Sequence, residues 1–485
     1  MIVSRINRRQ LATASLALAA GLSGATRGLA QESTPVPERT SGWPLYGHDL
    51  LGDRTTTTSG ISSATIDSLT ALWQVDVGGP VSATPVISDG VAFIGSYDGT
   101  LYALDLVSGV TRWSYASGSP VQEPNLKIPL GITGSAAVGD NVVYVGDSAA
   151  VVHAIDRTTG EARWTKKIDD QPQASIWSSP VIAGNTVFVG VASVAKEVGF
   201  RGSVVALDAE RGEIVWQRYM VPEGADGAGV FAVPAIDTTR GLLYVGTQNA
   251  YSPNPAPFGN PTSIVALDLE RGDIAWVFNA PPGGTKAPTD DVAFSASPNL
   301  FSARIDGRQR DLIGEGQKSG DYWALDRDTG GVVWQAKVSP SGFLGGMEGS
   351  SAVADGIVAV PATNWPEFDG PAKGLVTGLD AATGKTVWTA EQTAPAASPV
   401  AIADDIVMHA GIDGVLHAYA LRSGKELGLA DLGASVSGGI AIADGVVVLA
   451  AATPAFAPFV KPGHTIYAFA VNGSSGTPEA TPALP

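Results

Sequence analysis

The sequence predicts an all-β protein, an eight-bladed β-propeller built from four-stranded antiparallel sheets. Three observations predict this fold: one motif recurs at intervals of about fifty residues, a hairpin signal precedes each copy, and helical periodicity is scarce outside the first thirty residues. Repeats of this length are typical of modules that bury their apolar faces only against neighbouring modules. Because radial packing of small sheets protects strand edges, a propeller is the architecture that these repeats favour.

The repeated motif is a strand ending in Ala-Leu-Asp, a polar turn closed by glycine, and a second apolar strand ending in tryptophan. Six copies are clear, namely ALDLVSGVTRW, AIDRTTGEARW, ALDAERGEIVW, ALDLERGDIAW, ALDRDTGGVVW and GLDAATGKTVW. Two degenerate copies follow, AYALRSGKELG around Ala418 and YAFAVNG around Ala468. The motif therefore predicts eight sheets.

A hairpin signal between apolar strands stands ahead of each copy. Examples are ISDGVAFIG, AVGDNVVYVG, IAGNTVFVG and IADGVVVLAA. Asp-Gly, Gly-Asn and Gly-Asp pairs supply the positive φ angles that tight hairpins need, and the flanking Val, Ile, Tyr and Phe suit buried strands. Each repeat is therefore predicted to contribute four antiparallel strands.

The ring is predicted to close through a strand near the N-terminus. This unmatched strand, TALWQVDVG with Trp73, precedes the first copy, whereas the last copy stops before any terminal tryptophan strand. We expect the strand near Trp73 to complete the eighth sheet. Large aromatic rings at a repeated position are typical of sheet-to-sheet packing. Seven tryptophans are therefore interpreted as docking residues without a catalytic role: Trp73, Trp113, Trp164, Trp216, Trp276, Trp334 and Trp388.

The two ends of the chain differ from the repeats. Residues 1–30 carry basic residues, then an apolar Ala/Leu run, then small residues, which predicts a signal peptide too short to span a membrane stably. The pair Arg8-Arg9 leaves twin-arginine and general secretory export both open, so the mature protein is expected in the periplasm or outside the cell. Residues 31–41 and 473–485 predict a disordered linker and tail. Residues 42–472 are predicted to form one propeller domain.

Charge and cysteine content exclude several functions. The net charge is −17, and it becomes −21 without residues 1–30, so the chain has no basic footprint for nucleic acid and favours a bound divalent cation. There is no cysteine, which excludes disulfides, thiolate metal sites and a covalently attached c-type haem. Electrons that leave this chain must therefore pass to another molecule.

One copy of the repeat, GQKSGDYWALDRDTGGVVW from Gly316 to Trp334, carries residues that the other copies lack. It places Lys318 among residues that are too polar for a core, and we expect Lys318 at the start of the inner strand of its blade. An ion pair of Lys318 with Glu315 or Asp321 is the structural alternative to a functional role.

Three features together resemble the quinoprotein alcohol dehydrogenases that carry pyrroloquinoline quinone (PQQ). These features are WPLYGHDLLGDR from Trp43 to Arg54, the eight repeats and GQKSGDYWALD. Within that family the sequence is most similar to the polyvinyl-alcohol dehydrogenase branch, over roughly residues 43–471. The repeat also occurs in non-enzymatic propellers, including outer-membrane assembly scaffolds. Only residues of the inner rim therefore bear on the cofactor.

The resemblance implies a Ca²⁺ site beside PQQ. The family's Glu ahead of an Arg-Gly matches Glu197 in AKEVGFRGSVVALD, and its Asn at the end of a GTGN strand matches Asn249 in GLLYVGTQNAYSPNP. Its third ligand, also the proposed catalytic base, matches Asp291 in TDDVAFSASPNL, with Asp290 as an alternative. The family's Lys or Arg that bonds the quinone oxygens matches Lys318. Such an oxygen-rich donor set suits Ca²⁺ rather than zinc or copper.

Taken singly, these residues have ordinary structural explanations. Glu197 and Asp291 are typical of solvated loop carboxylates, and Asn249 of a residue that stabilises a turn. The joint pattern, with four residue types in the expected order at strand ends that face one rim, is what indicates a site.

The predicted pocket departs from the family pattern. The adjacent cysteine pair that many members place over one face of PQQ is missing, and Phe231 in GAGVFAVPAID replaces a tryptophan on the other face. Gly349 stands where relatives often have another tryptophan. Asn364 and Trp365 occupy the same point of their repeat as Asn249 and are predicted to line the pocket. The pocket is therefore expected to be wide, which suits a bulky substrate or means that PQQ is not held.

Three functions follow as hypotheses. The first is an exported PQQ- and Ca²⁺-dependent alcohol dehydrogenase for secondary or polymeric alcohols, in which Asp291 takes the hydroxyl proton, Lys318 faces the quinone oxygens and hydride passes to PQQ. An external acceptor such as a cytochrome c would reoxidise the cofactor. The second is a binding or assembly scaffold in the cell envelope. The third is a lyase or hydrolase that uses rim carboxylates.

Overall fold

The computed structural model describes residues 42–57, 59–118, 120–122, 128–193, 199–250, 260–281, 291–341, 345–365, 372–454 and 459–471. Eight antiparallel sheets surround one axis, so the predicted all-β, eight-bladed propeller is confirmed. The predicted signal peptide (1–30), linker (31–41) and tail (473–485) lie outside the described residues.

Each blade has four strands, labelled A to D from the axis outward, and each strand pairs with the next. The strands of blades 1 to 4 are, in order, Val86–Ser88, Val91–Gly95, Thr100–Asp105 and Thr111–Ala116; Ala137–Val138, Val142–Gly146, Val151–Asp156 and Ala162–Lys167; Val181–Ala183, Thr186–Ser193, Ser203–Asp208 and Ile214–Tyr219; Ala235–Asp237, Leu242–Gly246, Ser263–Asp268 and Ile274–Asn279.

The strands of blades 5 to 8 follow the same order. They are Asn299–Ile305, Arg308–Gly316, Asp321–Asp326 and Val332–Lys337; Ala352–Ala354, Ile357–Asn364, Lys373–Asp380 and Thr386–Gln392; Ala401–Ala403, Ile406–Ala410, Val415–Ala420 and Glu426–Asp431; Ala441–Ala443, Val446–Ala451, Thr465–Val471 and Leu69–Asp76. The remaining elements are a 3-10 helix, Ile66–Ser68, and the short strands Thr55–Thr56, Val121–Gln122, Pro129–Leu130 and Ala174–Ser175.

The A–B hairpins turn at the Asp-Gly pairs that predict them. Asp89 and Gly90 adopt φ angles of 46° and 68°, and Asp444 and Gly445 adopt 52° and 75°. Two consecutive positive φ angles match the twist of antiparallel strands and thereby set the register of each hairpin. The D strands differ from the prediction, because they continue past the tryptophan that was expected to end them.

The ring closes through the N-terminal strand, as predicted. Strand Leu69–Asp76 is strand D of blade 8 and pairs antiparallel with Thr465–Val471, with Trp73 opposite Ala468. The first and last strands of the propeller therefore share one sheet.

The seven repeated tryptophans dock one blade against the next, as predicted. Each indole N–H donates a hydrogen bond to a main-chain carbonyl of the following blade, for example Trp216 to Leu269 at 3.0 Å and Trp73 to Leu106 at 2.9 Å. The ring lies on the glycine that closes the following C–D turn. At Gly272 a Cβ atom would lie 2.5 Å from the Trp216 ring, and φ is +67°. Only glycine meets both requirements.

The junction between blades 7 and 8 is the exception. Strand D of blade 7 carries Gly428 at the position of the tryptophan, and Ile66 of the 3-10 helix approaches this glycine: a Cβ added at Gly428 would lie 3.9 Å from Cγ1 of Ile66. Ile66 is buried in the apolar core that blades 7, 8 and 1 share. An aliphatic side chain from the N-terminal segment therefore takes over the role of the missing ring.

The segment that contains WPLYGHDLLGDR lies along the axis. Its main chain hydrogen-bonds to the A strands of six blades, through Ile87, Val138, Ile236, Leu300, Val353 and Ile402. Arg54 is fully buried there, and its Nε donates a hydrogen bond to the carbonyl of Val400 at 2.7 Å. These contacts connect blades that are not neighbours in the ring.

Antiparallel pairing places all B–C turns and D–A loops at one end of the ring, and all A–B and C–D turns at the other. We call the first end the rim and the second the turn end. Lys318 lies at the rim, in the turn between strand B, Arg308–Gly316, and strand C, Asp321–Asp326. The expectation that Lys318 starts the inner strand is therefore wrong, since the innermost strand of blade 5 is Asn299–Ile305.

Candidate functional site

Three of the predicted site residues converge at the rim between blades 4 and 5. The Nζ atom of Lys318 lies 2.7 Å from Oδ2 of Asp291. The side-chain amide of Asn249 donates a hydrogen bond to Oδ1 of the same carboxylate at 2.7 Å. One carboxylate thus joins a lysine and an amide that are 69 residues apart in sequence.

Each of the three residues lies on a connection that the blade geometry brings to the rim. Asn249 follows strand B of blade 4, Asp291 precedes strand A of blade 5, and Lys318 lies in the B–C turn of blade 5. The main chain links the last two, because the Lys318 N–H donates to the carbonyl of Ala293 at 3.0 Å. Oδ1 of Asp291 also accepts the Ala293 N–H at 3.2 Å, which fixes the carboxylate.

A second carboxylate, which the sequence analysis did not identify, completes the cluster. Oε1 of Glu348 lies 3.0 Å from Nζ of Lys318. Glu348 belongs to the D–A loop that enters blade 6, and Gly346 in that loop approaches the Lys318 main chain so closely that any side chain would overlap it. The glycines of LGGMEGSS thus bring Glu348 to the lysine.

The position of Glu348 within the repeat is a signal that could have identified it. Trp177, Phe231 and Glu348 each follow the apolar residue that covers the last glycine of strand B in the preceding blade. The three covering pairs are Ile176 on Gly146, Val230 on Gly190 and Met347 on Gly316. Because the resemblance assigns Phe231 to the pocket, the equivalent position of blade 6, which holds Glu348, is also expected to face the pocket.

The two carboxylates keep Lys318 charged. The lysine side chain is only 8% exposed. Burial lowers the pKa of Lys318, but the carboxylates of Glu348 and Asp291 outweigh burial, so its pKa lies above its ordinary value. The ammonium group is therefore a permanent positive charge in a largely desolvated place.

The alternative partners considered for Lys318 are not the ones it takes. Asp321 accepts hydrogen bonds from Lys337 at 3.3 Å and from Ser319 at 2.9 Å. Glu315 is fully buried, and neither of its carboxylate oxygens has a hydrogen-bond partner among the described residues. Burial raises the pKa of Glu315 well above its ordinary value and so favours the neutral form of this side chain.

The predicted pocket-lining residues lie beside the cluster. The Phe231 ring is 5.6 Å from the Trp177 ring, and the neighbouring Gly229 accepts the N–H of Gln248, next to Asn249. Asn364 ends strand B of blade 6, directly after Thr363, which pairs with Gly346. Main-chain contacts thus join the segments of Phe231 and Asn364 to the segments that carry Asn249 and Glu348.

Three further predicted residues, Trp365, Glu197 and Asp290, are not placed at the cluster by any contact of the described residues. Trp365 follows Asn364, and its ring contacts Phe459 edge to face at 5.7 Å. Glu197, together with the alternative ligand Asp290, lies outside the described residues. The metal role of Glu197 stays a prediction.

A separate group of possible metal ligands lies in the axial segment, where His48, Asp49 and Asp53 approach one another. Asp49 accepts main-chain hydrogen bonds from Leu51 and Gly52 at 2.9 and 3.1 Å. Burial, followed by the Asp53 charge, raises the pKa of Asp49 to about 6. These contacts identify Asp49 as a residue that shapes the turn.

The donor set of the rim cluster fits a hard divalent cation. A carboxylate and an amide lie in direct contact, and Ca²⁺ prefers carboxylate and carbonyl oxygen. The aromatic pair of Trp177 and Phe231 together with a buried ammonium also fits a flat, anionic cofactor, since the rings offer apolar faces and Lys318 offers charge.

Fold and site together define the class of protein: an eight-bladed propeller that carries a lysine, an amide and carboxylates at one rim. The family profile described as glucose/ethanol/alcohol dehydrogenase, beta-propeller domain, matches residues 43–342, and the chain belongs to this family. A second profile, described as outer membrane protein assembly factor BamB, matches residues 318–427.

Named relatives agree with the family. The chain is 27% identical over 362 residues to a polyvinylalcohol dehydrogenase of Pseudomonas sp., covering 66% of this chain and 55% of the relative. It is 27% identical over 356 residues to quinohemoprotein alcohol dehydrogenase ADH IIB of Pseudomonas putida, covering 66% and 50%. The chain thus spans about half the length of the curated relatives it matches.

Solved structures support the fold. The quinohemoprotein alcohol dehydrogenase of Comamonas testosteroni superposes with a TM-score of 0.77 at 21% identity, over 92% of this chain and 83% of that chain. BamB of Moraxella catarrhalis superposes with a TM-score of 0.58 at 16% identity, over 83% and 99%. At these identities the likeness bears on the fold alone.

Proposed function

We propose that this protein is an exported, PQQ-dependent alcohol dehydrogenase that oxidises secondary or polymeric alcohols with the help of Ca²⁺. The observation that carries the proposal is the convergence of Asp291, Asn249 and Lys318 at one rim of the propeller, in a chain of the alcohol dehydrogenase family. Names of relatives that include polyvinylalcohol dehydrogenase support the substrate class.

The cation would be held by Glu197, Asn249 and Asp291. In this structure Asn249 presents its N–H to Asp291, so its amide would turn to offer oxygen to a cation. Thr262, whose hydroxyl lies 3.4 Å from Oδ1 of Asn249, can serve either end of the amide because a hydroxyl both donates and accepts. Asn249 therefore suits both arrangements.

The cofactor would lie between the aromatic pair and Lys318, bordered by Asn364 and Trp365. When bound, PQQ supplies the hydride acceptor and the cation supplies Lewis acidity. Lys318 would hold a positive charge toward the quinone oxygens, since both carboxylates keep it protonated. Asp291 would accept the hydroxyl proton of the alcohol as general base.

The chain would pass its electrons to an external acceptor such as a cytochrome c, since it has no cysteine for covalent haem attachment. Residues 1–30 support export to the periplasm or the medium by either secretory route. Among the described residues, no helix has the length and hydrophobicity that a membrane crossing requires.

Reconstitution tests the proposal. Protein incubated with PQQ and Ca²⁺ should show the absorption of bound quinone and should reduce a dye when a secondary alcohol is added. Glu197→Ala and Asp291→Asn should each abolish dye reduction, whereas Asp268→Asn, at the turn end, should not. Full activity in both of the first two variants would refute the proposal.

The second candidate function is a binding or assembly scaffold in the cell envelope. The profile described as BamB over residues 318–427 favours it. Calorimetry that detects no PQQ binding in the presence of Ca²⁺ would select this function over the first.

A further inference from the structure

The Lys318 ammonium group lies between two carboxylates, yet only one of them belongs to the proposed cation site. Its Nζ is 2.7 Å from Oδ2 of Asp291 and 3.0 Å from Oε1 of Glu348. We propose that Glu348 is a positioning residue that holds Lys318 when Asp291 binds the cation, and so sets the cation affinity of the site. This inference rests on the proposed function.

The bound cation and the Lys318 ammonium group would compete for the Asp291 carboxylate. Asp291 already accepts Asn249 and Ala293 through Oδ1 and Lys318 through Oδ2. A divalent cation on Asp291 would draw on the same negative charge and would repel the ammonium group beside it. Lys318 then needs another anionic partner, because a buried charge without a partner is costly.

Glu348 can be that partner without any large movement. The Lys318 side chain is 8% exposed, so it cannot exchange Asp291 for bulk water, whereas Glu348 is already within hydrogen-bond distance. Met347 anchors the loop, since its sulfur lies 2.7 Å from the place that a Cβ of Gly316 would occupy. The loop therefore holds Glu348 beside Lys318 from a fixed base.

The charge balance points the same way. Lys318, Asp291 and Glu348 together carry a net charge of −1, and the proposed ligand Glu197 brings it to −2, so a divalent cation neutralises the group. Without the Glu348 charge the loaded group would carry +1. Glu348 is 31% exposed and lies outside the apolar core, so its charge rather than its packing is what it contributes.

Calcium titration by isothermal calorimetry tests the proposal without any assay of activity. We expect Glu348→Gln to weaken Ca²⁺ binding by about tenfold or more, because it removes one negative charge next to the site. Glu391→Gln is the matched control, since Glu391 pairs with Lys373 at 2.9 Å on the outside of blade 6. That control should bind Ca²⁺ like the unmodified protein.

A second variant separates a role through Lys318 from direct ligation. In Lys318→Met/Glu348→Gln, the positive charge that Glu348 has to hold is gone, so the Ca²⁺ affinity should recover toward that of the unmodified protein. Failure to recover would overturn the proposal, as would an unchanged affinity in Glu348→Gln with retained circular dichroism.

The result also distinguishes this inference from the proposed function. If the unmodified protein binds no Ca²⁺, the cation site itself fails, and this inference fails with it. If it binds Ca²⁺ and reduces dye while Glu348→Gln has the same affinity, only the role of Glu348 is wrong.

Discussion

The turn end and the rim of this propeller follow opposite rules. At the turn end, the aspartate of each clear repeat accepts main-chain N–H groups of its own C–D turn, as Asp105, Asp208 and Asp268 do. At the rim, the ends of strand B and the B–C connections differ from blade to blade, with Asn249 in blade 4, Lys318 in blade 5 and Asn364 in blade 6. Repetition thus marks the residues that build the ring, and departure from it marks the residues of the candidate site.

The largest effect is expected at the rim. Asp291→Asn should lower dye-linked alcohol oxidation by about 10²–10⁴-fold, because the amide cannot accept the hydroxyl proton. Thermal stability should fall only modestly: asparagine keeps an oxygen for the Ala293 N–H but turns its amide N–H toward the Lys318 ammonium, which Glu348 still pairs. Steady-state rates and unfolding curves of the reconstituted variant test both expectations, and a rate near that of the parent would place the base elsewhere.

Substitution of a docking tryptophan should instead lower stability strongly and leave the reaction rate nearly unchanged. Trp216→Ala should lower the free energy of unfolding by about 3–5 kcal/mol, because it empties the space between blades 3 and 4. Its indole hydrogen bond to Leu269 is lost as well. Chemical denaturation measures the loss, and the rate per folded molecule should stay near that of the parent. A stability close to the parent's would contradict the docking role.

Glu315 is an exception to this comparison. It departs from the repeat near the rim end of strand B, yet it lies inside the core. The same position of strand B holds an apolar residue in six other blades, namely Ile94, Val145, Val189, Val245, Val360 and Leu449. Glu315→Val should therefore stabilise the protein at pH 8 by about 1–3 kcal/mol, since it removes a buried carboxyl without partners.

The gain should depend on pH. Burial raises the pKa of Glu315 in the folded state, so above the ordinary value of 4.5 the unfolded chain releases a proton that the folded chain keeps. This carboxyl therefore costs more stability as pH rises. The stability difference between Glu315→Val and the parent should be larger at pH 8 than at pH 5, and denaturation at both values tests this. An equal difference would indicate that Glu315 ionises in the folded protein.

The smallest effect is expected at the turn end. Asp268→Ala removes the acceptor of two main-chain N–H groups, from Glu270 and Arg271, and should cost about 0.5–1.5 kcal/mol of stability. The site lies at the other end of the blade, so the rate should not change. A loss of activity without a loss of stability would show that the two ends are coupled.

Most of the fold was predictable because the sequence motif of a blade recurs along the chain. The spacing of Ala-Leu-Asp and tryptophan indicated the blades, and the unmatched strand at Trp73 indicated the closure. The order of strands from the axis was less accessible. Alternating apolar strands look alike whether they lie inside or outside, so Lys318 was predicted to start an inner strand, whereas it lies in a B–C turn.

The site was predictable only in part, for a related reason. Asp291, Asn249 and Lys318 were found because family motifs mark them, and the blade geometry brings them together. Glu348 has no such family motif, and only its position within the repeat could have indicated it. Ile66, which replaces a tryptophan between blades 7 and 8, comes from outside the repeats and has no periodic signal.

The axial segment also bears on how the molecule is made. Its main chain meets the A strands of blades 1, 2, 4, 5, 6 and 7, and the next strand completes blade 8. During translation, the axial segment is synthesised before most of the A strands to which it hydrogen-bonds. Assembly therefore finishes only when Thr465–Val471 has been synthesised, because until then strand Leu69–Asp76 has no neighbour in its sheet.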